Sequence, residues 1–550
     1  MKLSLRTRPS AAWTVAAAML VITAVAASAA FAQAPPAPTA PTAPADAPPA
    51  QDAPFVMREI RLPKTQAVPE DEVFNVVARH LRRAVGPAEM TTIAADIRRL
   101  YDSRGLGLVS IGVAVQDQSS GALEIIIIEP RIAQVQVEAG AQPPISEARA
   151  RRVLDNFDLK PGASLNLNRL DRAMFTLNDW PGVTARATLS PSGDEGAYNL
   201  VLAVEAGRKF DASIDYDNHG SASSGRHRLG GLLRWNNPLG VGDNLDIRAL
   251  VSNAQRVTVG RLAYELPLGA TPWRAGAGVS RVSYELGEAF AALGAVGSAD
   301  VVDVSLSYPL LRAREHNLAG RVALESKRLE DRFDAVVPAL RSNKRIDDLQ
   351  LGLSFEARDA LFGGGYTGGS LGLQAGRLRI VTADVRAFDA ALGDRATQGQ
   401  FSKVNAQVTR LQAITRTLSG FVGIAGQWAS KNLDNAEKLT LGGAKGVRAY
   451  PGGEAPSDQG LIVNAELRWW IDPAWSAFGF YDWGHGTLQK RPAPGVDNTR
   501  ILRGVGLGVQ FSKAELLSFK ASLGWRGNEP VLSESGDDRA RLLIQAQKPF

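Results

Sequence analysis

Two short strings near the C-terminal end of the chain carry residues that could form a buried ion pair. Arg448 lies in a glycine-rich stretch with Gly446, Val447, Ala449 and Tyr450. Asp482 lies in an apparent strand, between Phe480 and Gly484. The planar fork of arginine can make two charge-assisted hydrogen bonds to one carboxylate. An arginine on a loop inside a closed structure is costly without such a partner, so the two strings predict a latch between a loop and a strand.

The segments around these strings have the pattern of a membrane-spanning β-barrel. From residue 208 to residue 550, helical periodicity disappears, glycine is frequent, and stretches of about ten alternating residues recur between turns. Apolar residues from Leu461 to Trp469 share one strand face, while Glu466 and Arg468 lie on the other. Seven of the ten tryptophans lie in such segments, as girdle residues do, namely Trp235, Trp428, Trp469, Trp470, Trp475, Trp483 and Trp525.

The apolar stretches of the mature chain are too short for a spanning helix, which leaves a closed barrel as the way to satisfy the backbone in lipid. The predicted fold class is therefore a transmembrane β-barrel of about 16 antiparallel strands, preceded by two small α+β domains. A soluble β-sandwich or propeller would also explain the alternation. It would not explain the N-terminal signal, the outward tryptophans, or a last strand that ends at the aromatic Phe550.

Two repeats of a β-α-α-β-β order precede the barrel pattern. The first covers residues 55–130, and the second covers residues 131–207. At about 75 residues, each repeat has the size of a small α+β domain. Exposed edge strands in such domains can accept an extended peptide by strand addition.

The N-terminus predicts export from the cytoplasm. Residues 1–32 combine a positive start, an alanine-rich apolar segment and an A-x-A site, which is the pattern of a cleaved signal peptide. Residues 33–54 form a Pro/Ala-rich linker, which we expect to be extended. Cleavage would remove three positive charges from a formal net charge of +6 and leave +3. So small an excess argues against a nucleic-acid partner. The chain has no cysteine, which excludes thiolate metal sites and cysteine nucleophiles.

These features together resemble the outer-membrane transporters of two-partner secretion, the TpsB-type or hemolysin secretion/activation family of the BamA-like superfamily. Residues 446–450 are similar to the VRG(Y/F) loop tip of that superfamily, and residues 480–484 match its F-x-D-x-G strand motif. Residues 178–183 and the hairpins near residues 217–220 and 237–243 also resemble family segments. The chain departs from the pattern at Ala449, where glycine is usual; alanine tolerates a positive φ poorly, so the turn at the tip is open to question.

The resemblance implies the roles of the parts. The two α+β repeats correspond to periplasmic polypeptide-transport-associated (POTRA) domains, and a long sixth extracellular loop, about residues 432–458, folds into the lumen. Arg448 and Asp482 then form the lumen latch, and Phe550 is the C-terminal signal for insertion by the barrel-assembly machinery. The partner is a secreted TpsA-type protein that the POTRA domains bind, and the surroundings are outer-membrane lipid.

The predicted function is therefore protein export across the outer membrane without nucleotide hydrolysis. We expect no catalytic residues, no metal and no cofactor, and the sequence has no P-loop run. An alternative in the same superfamily is a factor that assembles other barrels, which commonly has three or more POTRA domains. An outer-membrane phospholipase would need a Ser–His–Asn/Asp arrangement, and no histidine here has a compelling serine partner. A diffusion porin would not need the α+β repeats.

Overall fold

A computed structural model of the chain describes residues 54–117, 121–140, 142–335, 340–534 and 538–550. The predicted signal peptide, and the predicted linker except for Pro54, lie outside these residues. Among the helices of the described residues, none is long and apolar enough to cross a membrane.

The first α+β unit packs two helices on a three-stranded sheet. Its elements are β1 (Phe55–Val56), β2 (Glu59–Arg61), α1 (Glu70–Val77), β3 (Ala84–Val85), α2 (Pro87–Ser103), β4 (Ser110–Asp117) and β5 (Ala122–Ile128). The sheet order is β2-β5-β4, with β2 parallel to β5. The single first strand expected from the sequence is instead divided, because β1 pairs with β3 whereas β2 pairs with β5. Met57, fully buried at the break, belongs to the core of the unit.

The second α+β unit follows the predicted order closely. Its elements are β6 (Arg131–Ala139), α3 (Glu147–Asn156), α4 (Leu167–Asn178), β7 (Val183–Pro191) and β8 (Ala197–Ala206). Ser146 and Asn166 are the N-caps of the two helices, since their side chains accept the backbone N–H of Arg149 and Arg169. The sheet order is β6-β8-β7, which leaves β7 as an edge strand.

Sixteen strands of the described residues close into a barrel, as predicted. The first eight are β9 (Phe210–Asp217), β10 (Arg228–Asn236), β11 (Asn244–Ser252), β12 (Val257–Pro267), β13 (Arg274–Glu285), β14 (Ala295–Arg312), β15 (His316–Phe333) and β16 (Leu340–Asp359). The others are β17 (Gly365–Ile380), β18 (Gly399–Ala413), β19 (Leu418–Ala429), β22 (Gln459–Trp470), β23 (Trp475–Thr487), β24 (Thr499–Lys513), β25 (Leu517–Arg526) and β26 (Ala540–Pro549). Strands β20 (Leu439–Thr440) and β21 (Pro456–Ser457) pair within the sixth loop, outside the barrel sheet.

The barrel closes between its first and last strands. The register of β26 and β9 runs from Gln545 opposite Asp217 to Pro549 opposite Ser213. Phe550 lies just beyond β26, where its N–H donates to the carbonyl of Ala212 at 2.9 Å. The terminal residue thus extends the closing seam by one hydrogen bond.

The outer wall is apolar, as the alternation predicted, but two expectations, for Trp470 and for helical structure, were wrong. Leu467 and Trp469 are more than half exposed on the lipid face of β22, whereas Glu466 is buried inside. Trp470 is not a girdle residue, because its indole faces inward and donates to Ser419 at 3.0 Å. Helical structure also does not disappear after residue 208, since α5 (Ala383–Ala391) lies in the fifth loop, between β17 and β18.

The second α+β unit contacts the turns at one end of the barrel. Asp179 accepts two hydrogen bonds from Arg312, at 2.7 and 3.0 Å. Trp180 is buried and packs closely against Gly242. The side chain of Asn237 donates to the carbonyl of Pro144 at 2.6 Å. Residues 178–183 and the 237–243 hairpin take part in these contacts, which place the second α+β unit at the end of the barrel opposite to the longer loops.

Candidate latch between the sixth loop and the barrel wall

The sixth loop joins β19 to β22 and packs against the inner wall. It spans residues 430–458 and folds back on itself through the short β20–β21 pair. Val447 and Tyr450 at its tip are fully buried and pack with Leu441 of the loop and Leu502 of β24 in one apolar cluster. The loop is therefore a packed plug in the described structure, and its tip touches the strands that carry the second motif.

Arg448 and Asp482 contact each other in the barrel interior. The guanidinium donates to both carboxylate oxygens, from Nε at 2.9 Å and from Nη2 at 2.8 Å. The backbone N–H of Arg448 donates to the same carboxylate at 3.0 Å. Asp482 has no exposed surface, and Arg448 is 5% exposed. The contact is a bidentate, water-excluded ion pair, which is the strongest form that this residue pair can take.

A second carboxylate and an aromatic ring complete the surroundings of Arg448. Nη1 donates to Glu466 at 2.5 Å, and the guanidinium lies over the ring of Phe480 at 3.7 Å from its centroid. Burial disfavours the charged form of Arg448, but the hydrogen bonds and charges of its two carboxylate partners outweigh this and raise its pKa. The arginine is therefore held as a cation although it is buried.

Asn464 connects the loop backbone to the same carboxylate. Its Nδ2 donates to the carbonyl of Gly446 at 2.9 Å and to Asp482 at 2.7 Å. In the strand register Asn464 is directly opposite Asp482, and Glu466 is opposite Phe480. We call the set of Arg448, Asn464, Glu466, Phe480 and Asp482 the tip cluster.

Two glycines make room for the tip cluster. A Cβ on Gly484 would come within 3.1 Å of Val447, so the last position of the strand motif accepts the loop tip. A Cβ on Gly506 of β24 would lie 2.2 Å from the ring of Phe480, which therefore requires glycine beneath it. The alternating glycines of β24 thus form a flat inner surface for the aromatic residues of β23.

Ala449 fits the tip although glycine is usual there. It is buried and does not belong to the non-glycine residues with positive φ, so alanine carries no backbone strain in this turn. It lies against Gly504 and Gly524 of the wall. Tyr450 is buried beside it, and its hydroxyl donates to the carbonyl of Glu529 at 3.2 Å. Glu529 lies in the eighth loop, between β25 and β26.

The stem of the loop has its own ion pairs on another part of the wall. Glu437 accepts from Lys327 of β15 at 2.6 Å and from Lys403 of β18 at 2.8 Å. Asp434 accepts from Lys344 of β16 at 2.7 Å. Burial opposes ionisation of Glu437, but its two lysines outweigh this and hold its pKa well below the usual range. We call these five residues the stem cluster.

Sequence reasoning missed the stem cluster and Glu454. The carboxylate of Glu454, buried in the loop, accepts from the hydroxyl of Ser533 at 2.6 Å and joins the sixth loop to the eighth. A signal was available for the stem, because lysines at inward positions of barrel strands need acidic partners. Among the described residues, no group of three or more His, Cys, Asp or Glu side chains is arranged to hold a metal ion.

The family model of the haemolysin secretion/activation proteins ShlB/FhaC/HecB matches residues 196–511, more than half of the chain. The chain belongs to this family. It is accordingly an outer-membrane transporter of the two-partner secretion type, with its barrel in the outer membrane and its POTRA-type α+β units in the periplasm. The family consists of transporters rather than enzymes.

Individual relatives agree with this family across most of the chain. The heme/hemopexin transporter protein HuxB of Haemophilus influenzae (strain 86-028NP) is 25% identical over 86% of this chain and 84% of its own length. The outer membrane transporter CdiB of Dickeya dadantii (strain 3937) is 24% identical over 87% of this chain and 84% of its own. The solved structure of CdiB from Escherichia coli matches with a TM-score of 0.71 at 20% identity, covering 92% of this chain and 93% of that one. This last similarity concerns the fold.

Proposed function

We propose that this family member binds an unfolded TpsA-type partner through its periplasmic domains and passes it through the barrel without nucleotide hydrolysis. The proposed division is a signal peptide at 1–32, a linker at 33–54, POTRA domains at 55–130 and 131–207, and the barrel at 208–550. The observation that carries the proposal is the bidentate contact of Arg448 with Asp482. In our proposal this contact is the releasable hold on a loop that lies in the path of the exported chain.

The edge of β7 is the proposed site at which the partner adds a strand. Asn178 already makes hydrogen bonds to both the N–H and the carbonyl of Ala185 at the start of this edge. From Ala187 to Pro191, the hydrogen bonds of the described residues include none to the outward backbone groups of this edge. Alternate residues of a strand point their backbone groups to the same edge, so Ala187 and Leu189 present free donors and acceptors.

Transport then requires the sixth loop to leave its place or to shift within the lumen. In our proposal Arg448 separates from Asp482, the passage opens, and the partner moves outward as an extended chain. Folding of the partner outside the cell withdraws it from the lumen and biases the movement outward. The transporter itself reaches the membrane through the barrel-assembly machinery, for which Phe550 is the proposed signal.

Secretion from cells tests both parts of the proposal. The measurement is release of the N-terminal fragment of a candidate exported protein from the same genome. We compare the wild type with Arg448→Ala and with Ala187→Pro, which removes an outward N–H without removing a bond to β8. Ala187→Ser, which keeps the N–H, is the matched control. We expect release by the wild type and the serine variant, and at least about a tenfold loss in the other two.

The heat-modifiable gel mobility of the folded barrel checks that every variant reaches the membrane intact. Equal release by Ala187→Pro and Ala187→Ser would contradict strand addition at β7. If neither the wild type nor any variant exports the fragment, and the levels of other outer-membrane proteins change, assembly of barrels becomes the better description.

A further inference from the structure

The outer wall of the barrel carries a row of charged residues across five neighbouring strands. In the strand register, Arg281 of β13 is opposite Asp300 of β14, which is opposite Arg328 of β15. Arg328 is opposite Arg345 of β16, which is opposite Arg379 of β17. These side chains are on the lipid-facing side, because the residues two positions away along each strand are also outward. The four arginines are exposed.

The charged row begins where the apolar wall ends. Going along the same outward face toward the periplasm, the first large apolar residues are Val279, Val302, Leu324 and Leu349, and all four are at least 40% exposed. On β13 and β14 the charged residue is two positions beyond the apolar one, and on β15 and β16 it is four positions beyond. A lipid-exposed strand makes this change at the membrane interface. The end concerned is the one with the long loops, which faces the outer leaflet.

Three of these arginines have like charges as direct neighbours. Residues directly opposite in an antiparallel pair have Cβ atoms about 5 Å apart, and like charges there are destabilising. Arg345 has a carboxylate partner, since its Nε donates to Asp347 at 2.8 Å. Arg379 interacts electrostatically with the same carboxylate, so Asp347 is shared between two arginines. For Arg328, the ion pairs of the described residues include no partner. The three facing arginines therefore have fewer carboxylate partners than cations.

Arg377 adds a cation on the same outward face, two residues from Arg379, and is directly opposite Asp347 in the strand register. We define the outer-wall arginine patch as Arg281, Arg328, Arg345, Arg377 and Arg379. Asp300 and Asp347 lie among these five cations, and Glu330 lies two residues beyond Arg328 on the same outward face. Five cations and three carboxylates leave an excess of two positive charges. Charge of one sign at a membrane interface attracts headgroups of the other sign.

We propose that the outer-wall arginine patch binds the phosphate groups of an anionic glycolipid in the outer leaflet. Guanidinium groups suit phosphate because their fork of donors matches its oxygens. A phosphate between Arg328, Arg345 and Arg379 would neutralise the like charges that face each other there. The exposed valines and leucines below the row would contact the acyl chains, which is why a lipid fits this surface better than a soluble anion does.

Binding to the purified full-length protein in detergent tests the proposal. The probes are bisphosphorylated lipid A, the same lipid without phosphates, and inorganic phosphate, and the readout is the lipid retained in native mass spectrometry. The main variant is Arg328→Gln/Arg379→Gln, with Arg328→Lys/Arg379→Lys as a variant that keeps the charge. Arg416→Gln, in an exposed turn at the periplasmic end, is the matched control.

We expect the wild type and the Arg416→Gln control to retain bisphosphorylated lipid A at least about tenfold better than the phosphate-free lipid. The double glutamine variant should lose this preference, and the double lysine variant should keep part of it. Equal retention of the two lipids by the wild type, or an unchanged preference in the glutamine variant, would overturn the proposal. Competition by millimolar inorganic phosphate as effective as that by lipid A would overturn it in favour of a soluble-anion site.

Discussion

Removing the side chain of Arg448 should release the sixth loop more than removing the charge of its partner does. In Arg448→Ala, Glu466 keeps the guanidinium of Arg468, whose Nη2 is 2.6 Å away. Asp482 keeps only neutral donors, the backbone N–H at residue 448 and the amide of Asn464. The docked loop of this variant therefore contains one carboxylate that is fully buried and has no cation.

The expected size follows from the cost of such a carboxylate. Breaking a buried ion pair on one side costs about 3 to 5 kcal/mol. About 3 kcal/mol corresponds to roughly a hundredfold shift toward the undocked loop, since each 1.4 kcal/mol is a factor of ten. Asp482→Asn should shift the equilibrium less, because Arg448 retains Glu466. The double variant Arg448→Ala/Asp482→Asn should dock better than Arg448→Ala alone, since it contains no orphaned charge.

Thiol labelling measures the docking equilibrium. The chain has no cysteine, so Ser457→Cys introduces a single thiol at a loop position that is fully buried in the docked state. When redocking is fast, the rate of maleimide labelling is proportional to the undocked population. We expect this rate to rise about a hundredfold in Arg448→Ala, and to rise less in the double variant.

The order of the labelling rates among the variants shows whether the buried charge of Asp482 opposes docking. If the double variant labels as fast as Arg448→Ala, the buried charge of Asp482 is not what opposes docking. If Arg448→Ala labels like the wild type, the latch does not hold the loop. Labelling of the unfolded protein in denaturant gives the intrinsic thiol rate for each variant and serves as the control.

Three further predictions concern the same loop and the barrel wall against which it packs. Glu437→Gln should also raise the labelling rate, by at least about tenfold, because Lys403 loses its carboxylate partner, whereas Lys327 keeps Glu325 at 2.9 Å. Adding this change to Arg448→Ala should multiply the two effects, since the clusters share no residue. Gly506→Val should lower the yield of folded barrel on heat-modifiable gels, because the new side chain occupies the place of the Phe480 ring, whereas Gly506→Ala should have a smaller effect. The pair Leu441→Cys/Gly484→Cys, whose Cβ atoms would be 3.5 Å apart, should form a disulfide that stops secretion until it is reduced. Each single cysteine variant should secrete to the same level with and without reductant.

The sequence predicted the barrel because each strand must alternate between lipid and lumen. Leu467 and Glu466 show this directly, with one exposed and the other buried. The two motifs of the tip cluster could also be recognised in the sequence, since each consists of consecutive residues. The structure brings Arg448 to Asp482, and their role as a latch stays a prediction.

Side-chain pairs that depend on the register of the strands could not be recognised in this way. The stem cluster joins Glu437 to Lys327 over a separation of 110 residues, and only the strand pairing shows that this lysine faces the loop. The opposed arginines Arg328 and Arg345 belong to the same class, because a shift of one residue in register would separate them. The β1–β3 pair was missed because two strands of two residues each are too short to show alternation.

The placement of the two clusters gives a physical account of how the loop can be both fixed and displaceable. The wall residues of the tip cluster are on β22 and β23, and those of the stem cluster are on β15, β16 and β18. The loop is therefore held at two separate parts of the wall. Replacing a buried ion pair by well-packed apolar residues is often neutral or stabilising, so charge is not required for stability alone. Charged groups, however, regain hydration when they separate, whereas apolar contacts such as those of Tyr450 would expose surface to water. The ion pairs of the two clusters therefore help to hold the loop while they are shielded from water, and they lose much of that advantage once an entering chain brings water to either cluster.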